Sequence, residues 1–157
     1  MLTDNAFEVH ALPCKHFHIA ADFWLAMRQE VGISGDDLPP DWKQRAIAYF
    51  TRRHAAGELM WFFAWKGVEP AGSGCGLILD GYPSAICTQR RWGYIAGIYV
   101  KPQYRRRGLA RDLTLAAESW LRGRGCTNVR LRASPAGRPL YAPLGFEGTN
   151  EMEHRRA

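Results

Sequence analysis

A chain of 157 residues with 46% hydrophobic and 23% charged residues is globular in composition and long enough to bury roughly two thirds of its unfolded surface, and residues 1–157 are expected to form a single domain. No stretch approaches the roughly eighteen apolar residues of a membrane span, and Met1-Leu2-Thr3-Asp4-Asn5 has no basic or apolar leader character, so a cytoplasmic protein is expected. The net charge of +6 is concentrated in Arg90-Arg91, Arg105 to Arg107, Arg122 to Arg132 and Arg155-Arg156, which suits an anionic ligand and leaves a nucleic-acid binder as a competing class.

Phe7, Val9 and Ala11 alternate with polar neighbours and predict a short strand ended by Pro13. From Lys15 to Val31, the residues Ala20, Phe23, Trp24, Met27 and Val31 recur at helical spacing, with Gly32 as the stop. Pro39 and Pro40 open a second helix with Trp42, Ala46, Ile47 and Phe50 inward, running to His54 before Gly57. Met60 to Trp65 predicts a buried strand, and a further strand is expected from Ser73 to Leu79. A loop from Gly81 to Arg91 leads into a central strand, Tyr94 to Val100. Leu109, Leu113, Ala116, Ala117, Trp120 and Leu121 stripe a third helix that Gly123 and Gly125 end. Val129, Leu131 and Ala133 alternate as the next strand, followed by a short helix holding Tyr141 and a last strand after Gly145-Phe146.

The stretch between the central strand and the third helix carries the chemistry. Arg105-Arg106-Arg107-Gly108-Leu109-Ala110 is a basic glycine turn opening a helix. The first amides of a helix have no intrahelical partner and lie at the positive end of its dipole, so they attract polyanions where small residues permit approach. Gly108 and Ala110 are small, and three arginines add charge that favours a diphosphate. There is no Gly-x-x-x-x-Gly-Lys-Ser/Thr loop and no Gly-x-Gly-x-x-Gly fingerprint. The cysteines Cys14, Cys75, Cys87 and Cys126 show no Cys-x-x-Cys spacing and are expected as buried free thiols, with no metal. His10, His16, His18, His54 and His154 are expected at the surface.

The spacing Arg105-x-x-Gly108-x-Ala110, entered from Ile98-Tyr99-Val100, resembles the acyl-coenzyme A signature of the GNAT family of N-acetyltransferases. The segment from Ser134 to Phe146 resembles the same family's late motif. The resemblance covers essentially the whole chain and implies an α+β fold: a mixed central sheet flanked by helices, with the fourth and fifth strands splayed to admit the pantetheine arm. It implies acetyl-coenzyme A as cosubstrate and acetyl transfer to a primary amine by direct attack. Cofactor-binding residues are then Ile98, Tyr99, Val100, Arg105, Arg106, Arg107, Gly108, Leu109, Ala110, Ser134 and Tyr141, and Tyr141 is the catalytic acid. A small-molecule or peptide amine is the implied partner, with no nucleic acid and no membrane, and a homodimer is compatible with the fold.

By the same resemblance many relatives place a Glu on the fourth strand, whereas Tyr94-Ile95-Ala96-Gly97-Ile98 has no carboxylate. Proton loss through water to Glu30, Asp36, Asp37, Glu58 or Asp80, or binding of the amine in its neutral fraction, both remain open. By the same resemblance, Trp24, Met27, Arg28, Glu30, Tyr82, Trp92 and Tyr94 line the acceptor side, and a noncatalytic coenzyme A binding domain on the same fold is the alternative.

Overall fold

The structure is a computed structural model that describes residues 6–81 and 91–156. Tyr82, Cys87 and most of the expected loop between the third and fourth strands lie outside the described residues. Five strands form one sheet in the order β1 (Phe7–Ala11), β2 (Leu59–Lys66), β3 (Glu69–Asp80), β4 (Arg91–Val100) and β5 (Val129–Leu131). The first four are antiparallel neighbours, and β5 pairs parallel to β4. Helices α1 (Phe17–Gln29) and α2 (Trp42–Ala55) cover one face. Helix α3 (Leu109–Gly123) covers the other, and the short α4 (Arg138–Tyr141) follows β5. This is the mixed, helix-flanked α+β architecture expected from the sequence.

Covering both faces explains why β2 reads Leu-Met-Trp-Phe-Phe-Ala-Trp-Lys with no polar alternation. Trp61 and Phe63 point into a cluster with Phe17, Phe23 and Phe50 of α1 and α2, where rings meet edge to face at 4.9–6.1 Å. The opposite face is made by removing side chains. A Cβ on Gly74 would stand 2.8 Å from Ile98 Cδ1, and one on Gly93 would stand 2.9 Å from Leu121 Cδ1. The missing side chains let α3 lie close to the sheet on Leu113, Ala117 and Leu121, each fully buried. Thr114, also fully buried, satisfies its hydroxyl by donating to the Ala110 carbonyl at 2.7 Å.

Several boundaries differ from the sequence expectation. Helix α1 ends at Gln29, and Val31 stands 72% exposed beyond it. Helix α2 begins at Trp42, whose amide donates to the Pro39 carbonyl at 2.9 Å, so the two prolines precede the helix. Strand β3 starts at Glu69 and β4 at Arg91, both earlier than their apolar runs, because Glu69 pairs with Lys66 and Arg91 with Asp80 in register. Ala133 falls beyond β5, and no strand follows Phe146 among the described residues. In place of a backbone ladder, Arg130 pairs with Glu151 and Arg132 with Glu153. Cys75 and Cys126 are buried free thiols as expected, but Cys14 is exposed in the 3₁₀ turn that precedes α1. His16 and His54 are half-buried rather than on the surface: the His54 ring packs edge-on against Phe17 at 5.4 Å and its Nδ1 lies 3.2 Å from the Leu59 carbonyl.

Candidate active site

Strand β4 makes the site possible by bending and then losing its neighbour. Opposite Gly74 it carries an extra residue, so that Ser73 pairs with Tyr99 while Cys75 pairs with Ala96. Gly97 takes the left-handed conformation there (φ +64°), and a Cβ on it would stand 2.6 Å from the Trp61 ring. Its carbonyl accepts a 2.8 Å hydrogen bond from the buried Ser73 hydroxyl. On the other edge, β4 pairs with β5 only through Gly93, Tyr94 and Ile95, opposite Val129, Arg130 and Leu131. From Ala96 to Val100 that edge has no strand partner among the described residues, which leaves a gap into which an amide-bearing chain fits. Ile98, Tyr99 and Val100 are the residues beside it.

The chain leaves β4 through a 3₁₀ turn at Pro102–Tyr104 and reaches α3 by a left-handed step. Arg106 (φ +63°) and Gly108 (φ +81°) both take the left-handed conformation, and a Cβ on Gly108 would meet nothing within 4 Å. The first helical bond runs from the Asp112 amide to the Gly108 carbonyl at 3.1 Å. Consequently none of the amides from Arg106 to Arg111 donates to a protein acceptor among the described residues. Leu109, buried against Val100 and Leu113, anchors this opening, and Ala110 beside it is half-buried. A concave run of free amides with open space before it fits a diphosphate.

The three arginines do not act alike. Arg106 is exposed, and Arg107 lies 5.9 Å over the Phe7 ring. Arg105 is committed elsewhere: its amide donates to Pro102, its Nε donates to the Val100 carbonyl at 2.9 Å, and its guanidinium pairs with Glu30.

Tyr141 ends α4, half-buried with its ring edge-on to Phe146 at 6.0 Å. Phe146 packs into the cluster that also contacts Ile98, which places the phenol segment on the α3 side of the sheet. Burial holds the Tyr141 hydroxyl above the usual tyrosine range, so it stays protonated at neutral pH. Ser134 shapes the approach to α4: its hydroxyl accepts from the Gly137 amide at 3.1 Å and its carbonyl from the Arg138 amide at 3.1 Å.

The carboxylates considered as bases are mostly engaged. Glu30 pairs with Arg105, Glu58 with Arg53 and Arg91, and Asp37 accepts from the Ser34 amide at 2.7 Å. Asp36 and Asp80 are exposed. Among the residues expected on the acceptor side, Trp24 packs tilted against Trp42 at 5.6 Å under Arg28, and Trp92 lies 4.0 Å beneath the Arg130 guanidinium. Tyr94 and Met27 are half-buried. No group of three or more His, Cys, Asp and Glu that could hold a metal forms among the described residues, and no helix there is long and apolar enough to cross a membrane.

The model of the Acetyltransferase (GNAT) family matches residues 22–146. The chain belongs to the GNAT acetyltransferase family. An aminoglycoside N(6')-acetyltransferase type 1 of Klebsiella aerogenes is 36% identical over 106 residues, covering 66% of each chain. The enzyme of that name from Salmonella typhimurium is 32% identical over 62 residues, 38% of this chain and 43% of its own, so the chain spans less than half the length of that relative. A GCN5-related N-acetyltransferase from Ralstonia eutropha superposes with a TM-score of 0.84 at 26% identity, covering 96% of this chain and 99% of the other. A protein of Clostridium acetobutylicum described as a predicted acetyltransferase and crystallised with acetyl-CoA superposes with a TM-score of 0.85 at 21% identity, covering 96% of each, and shares the fold.

Sequence reasoning missed the bulge at Gly97 with its Ser73 support, and the left-handed Arg106. The glycine within an apolar strand was the available signal for the first. For the second the sequence carries none.

Proposed function

We propose that this GNAT protein, residues 1–157 acting as one cytoplasmic domain, is an N-acetyltransferase that moves the acetyl group of acetyl-coenzyme A directly to a primary amine of a small molecule. The observation that carries this reading is the open turn at α3, where six consecutive amides, Arg106 to Arg111, find no acceptor among the described residues, beside the edge of β4 that pairs with none of them. The curated relatives are named as aminoglycoside N-acetyltransferases, which supports a small amine over a protein acceptor.

In this reading the amides from Arg106 to Arg111, with the Arg106 and Arg107 charges, bind the diphosphate, and the edge of β4 from Ile98 to Val100 holds the pantetheine amides and polarises the thioester oxygen. Ser134 fixes the turn that aims Tyr141. The thioester supplies an activated acetyl carbon; the amine nitrogen forms a bond to it as the carbon–sulfur bond breaks. The Tyr141 hydroxyl, kept protonated by burial, gives its proton to the departing sulfur, and the amine's proton is returned through solvent. With Glu30 and Glu58 engaged in ion pairs, the amine enters in its neutral fraction or yields its proton to water.

The absence of a carboxylate on β4 favours one other reading, a noncatalytic acyl-coenzyme A binding domain. Thiol release from acetyl-coenzyme A across a panel of amines separates the two. Release that depends on an amine supports the enzyme. No release despite binding supports the second reading. Binding itself is read by thermal denaturation: at a hundred times its dissociation constant acetyl-coenzyme A should stabilise the chain by about 2.7 kcal/mol, a rise of roughly 5 to 10 °C. A flat response would refute both.

A further inference from the structure

We propose that Arg105, the first residue of the acyl-coenzyme A signature, is a positioning residue that pins the end of α1 to β4, and that Glu30 is its partner in this task. The inference rests on the reading of the α3 turn as a diphosphate site, and it assigns Arg105 a task other than phosphate binding.

Three contacts hold the guanidinium. Its Nε donates to the Val100 carbonyl at 2.9 Å, its terminal nitrogen donates to a Glu30 carboxylate oxygen, and its plane lies 5.7 Å from the Tyr99 ring centroid. Tyr99 in turn meets Phe23 of α1 edge-on at 5.7 Å. One side chain thus joins the last residue of β4, the aromatic residue before it and the terminus of α1, 75 positions away from Arg105 in the chain. A planar fork can reach carbonyl and carboxylate together, whereas a lysine ammonium on a flexible stem would hold one or the other.

Glu30 is itself out of place by local rules. It is the C-cap of α1, where the helix dipole and the free carbonyls disfavour a carboxylate. A residue that breaks a local preference calls for a compensating contact, and here that contact is Arg105. Both side chains are about two-fifths exposed, at 41% for Arg105 and 43% for Glu30, so the ion pair alone contributes little. Its value lies in geometry, because the Val100 carbonyl and the Tyr99 ring fix the arginine before the glutamate meets it. The end of α1, carrying half-buried Met27 and followed by exposed Val31, is thereby set at a fixed distance from the point where β4 turns into the α3 opening. The amides and the Arg106 and Arg107 side chains remain to meet a diphosphate.

The test compares Glu30→Gln, Arg105→Gln, Arg105→Lys and the Glu30→Gln/Arg105→Gln pair in the full chain. Hydrogen exchange of the amides at 28–33 in the ligand-free protein should rise about threefold in every variant, and no further in the pair than in Arg105→Gln alone. The calorimetric dissociation constant for coenzyme A should stay within about twofold of wild type in Arg105→Gln, with the same dependence on salt, since no phosphate contact is removed. Unchanged exchange at 28–33 in Glu30→Gln overturns the proposal. So does a tenfold loss of coenzyme A affinity in Arg105→Gln that Arg105→Lys restores, which would mark a phosphate ligand. A wild-type chain that binds no coenzyme A refutes the proposed function instead, and the exchange measurement still decides the role of Arg105.

Discussion

The face of the sheet under α3 and the face under α1 and α2 reach the same degree of burial by opposite means. Under α3 the strands present Gly72, Gly74, Gly76 and Gly93, and close approach is limited by backbone. Under α1 and α2 they present Trp61, Phe63 and Trp65, and separation is set by ring edges. The α3 face therefore fixes the helix, and with it the row of free amides at its start, to the backbone of β3 and β4. The aromatic face fixes α1 and α2 through side chains whose sizes and rotamers can change without moving the strands. On the proposed reading, that division builds the cosubstrate site on backbone and the acceptor side on side chains.

The largest effect should come from the aromatic face. Phe63 is fully buried and touches Phe23, Trp61 and Trp65, so Phe63→Ala should cost about 3–5 kcal/mol. Urea denaturation measures the loss. If the two faces are independent supports, coenzyme A affinity of the fraction still folded stays near wild type, and a parallel loss of affinity would break the comparison.

Next in size is a change on turnover alone. Tyr141→Phe should lower kcat about a hundredfold, roughly 2.7 kcal/mol of transition-state stabilisation, with acetyl-coenzyme A affinity nearly unchanged. Because burial raises the Tyr141 pKa, the protonated phenol is favoured in the folded chain. Its contribution to stability is complete below the ordinary tyrosine value of about 10 and is lost as pH rises through the higher folded value. The pH–rate profile should accordingly show no loss of activity from Tyr141 below about pH 10. An alkaline limb near neutrality that disappears in Tyr141→Phe would contradict the assignment.

Gly74→Val probes the glycine face directly. A Cβ there would stand 2.8 Å from Ile98 Cδ1 and 3.3 Å from Leu113 Cβ, so the expected cost is about 1–3 kcal/mol from overpacking. Unlike Phe63→Ala, it should also weaken coenzyme A binding severalfold, because α3 relieves the clash by moving off the sheet. Calorimetry on the folded variant checks this, and unaltered affinity would mean that the position of α3 does not set the site.

The same division explains what could be read from the sequence. The helices were legible because α1, α2 and α3 each bury a stripe with a 3.6-residue period, and the α3 opening because glycine and arginine mark it without tertiary context. The strand ends were not: Glu69 and Arg91 lie in strands only because each finds a cross-strand partner, Lys66 and Asp80. The bulge depends on the Trp61 ring meeting Gly97 from another strand. The expected last strand is replaced by ion pairs from Arg130 and Arg132 to Glu151 and Glu153, long-range contacts that no local pattern encodes. Within the site, the glycine turn could be placed by motif, whereas the turning of Arg105 toward Glu30, far away in sequence, could not.

The smallest expected effect isolates the backbone of the site from its charge. Arg106 holds φ at +63° two residues before Gly108 at +81°, and a left-handed conformation costs a non-glycine residue about 1–2 kcal/mol. Glycine at this position removes that strain but adds about 0.5–1 kcal/mol of unfolded-state entropy. Arg106→Gly should therefore stabilise the chain by about 0.5 kcal/mol, whereas Gly108→Ala, with open space but the wrong conformation, should destabilise it by about 1 kcal/mol. Strain kept at a ligand site implies a use for the side chain, so Arg106→Gly should weaken coenzyme A binding severalfold while the melting temperature rises slightly. If affinity is unchanged or tighter, the diphosphate is held by the amides alone, and the arginine's charge has no part in the site.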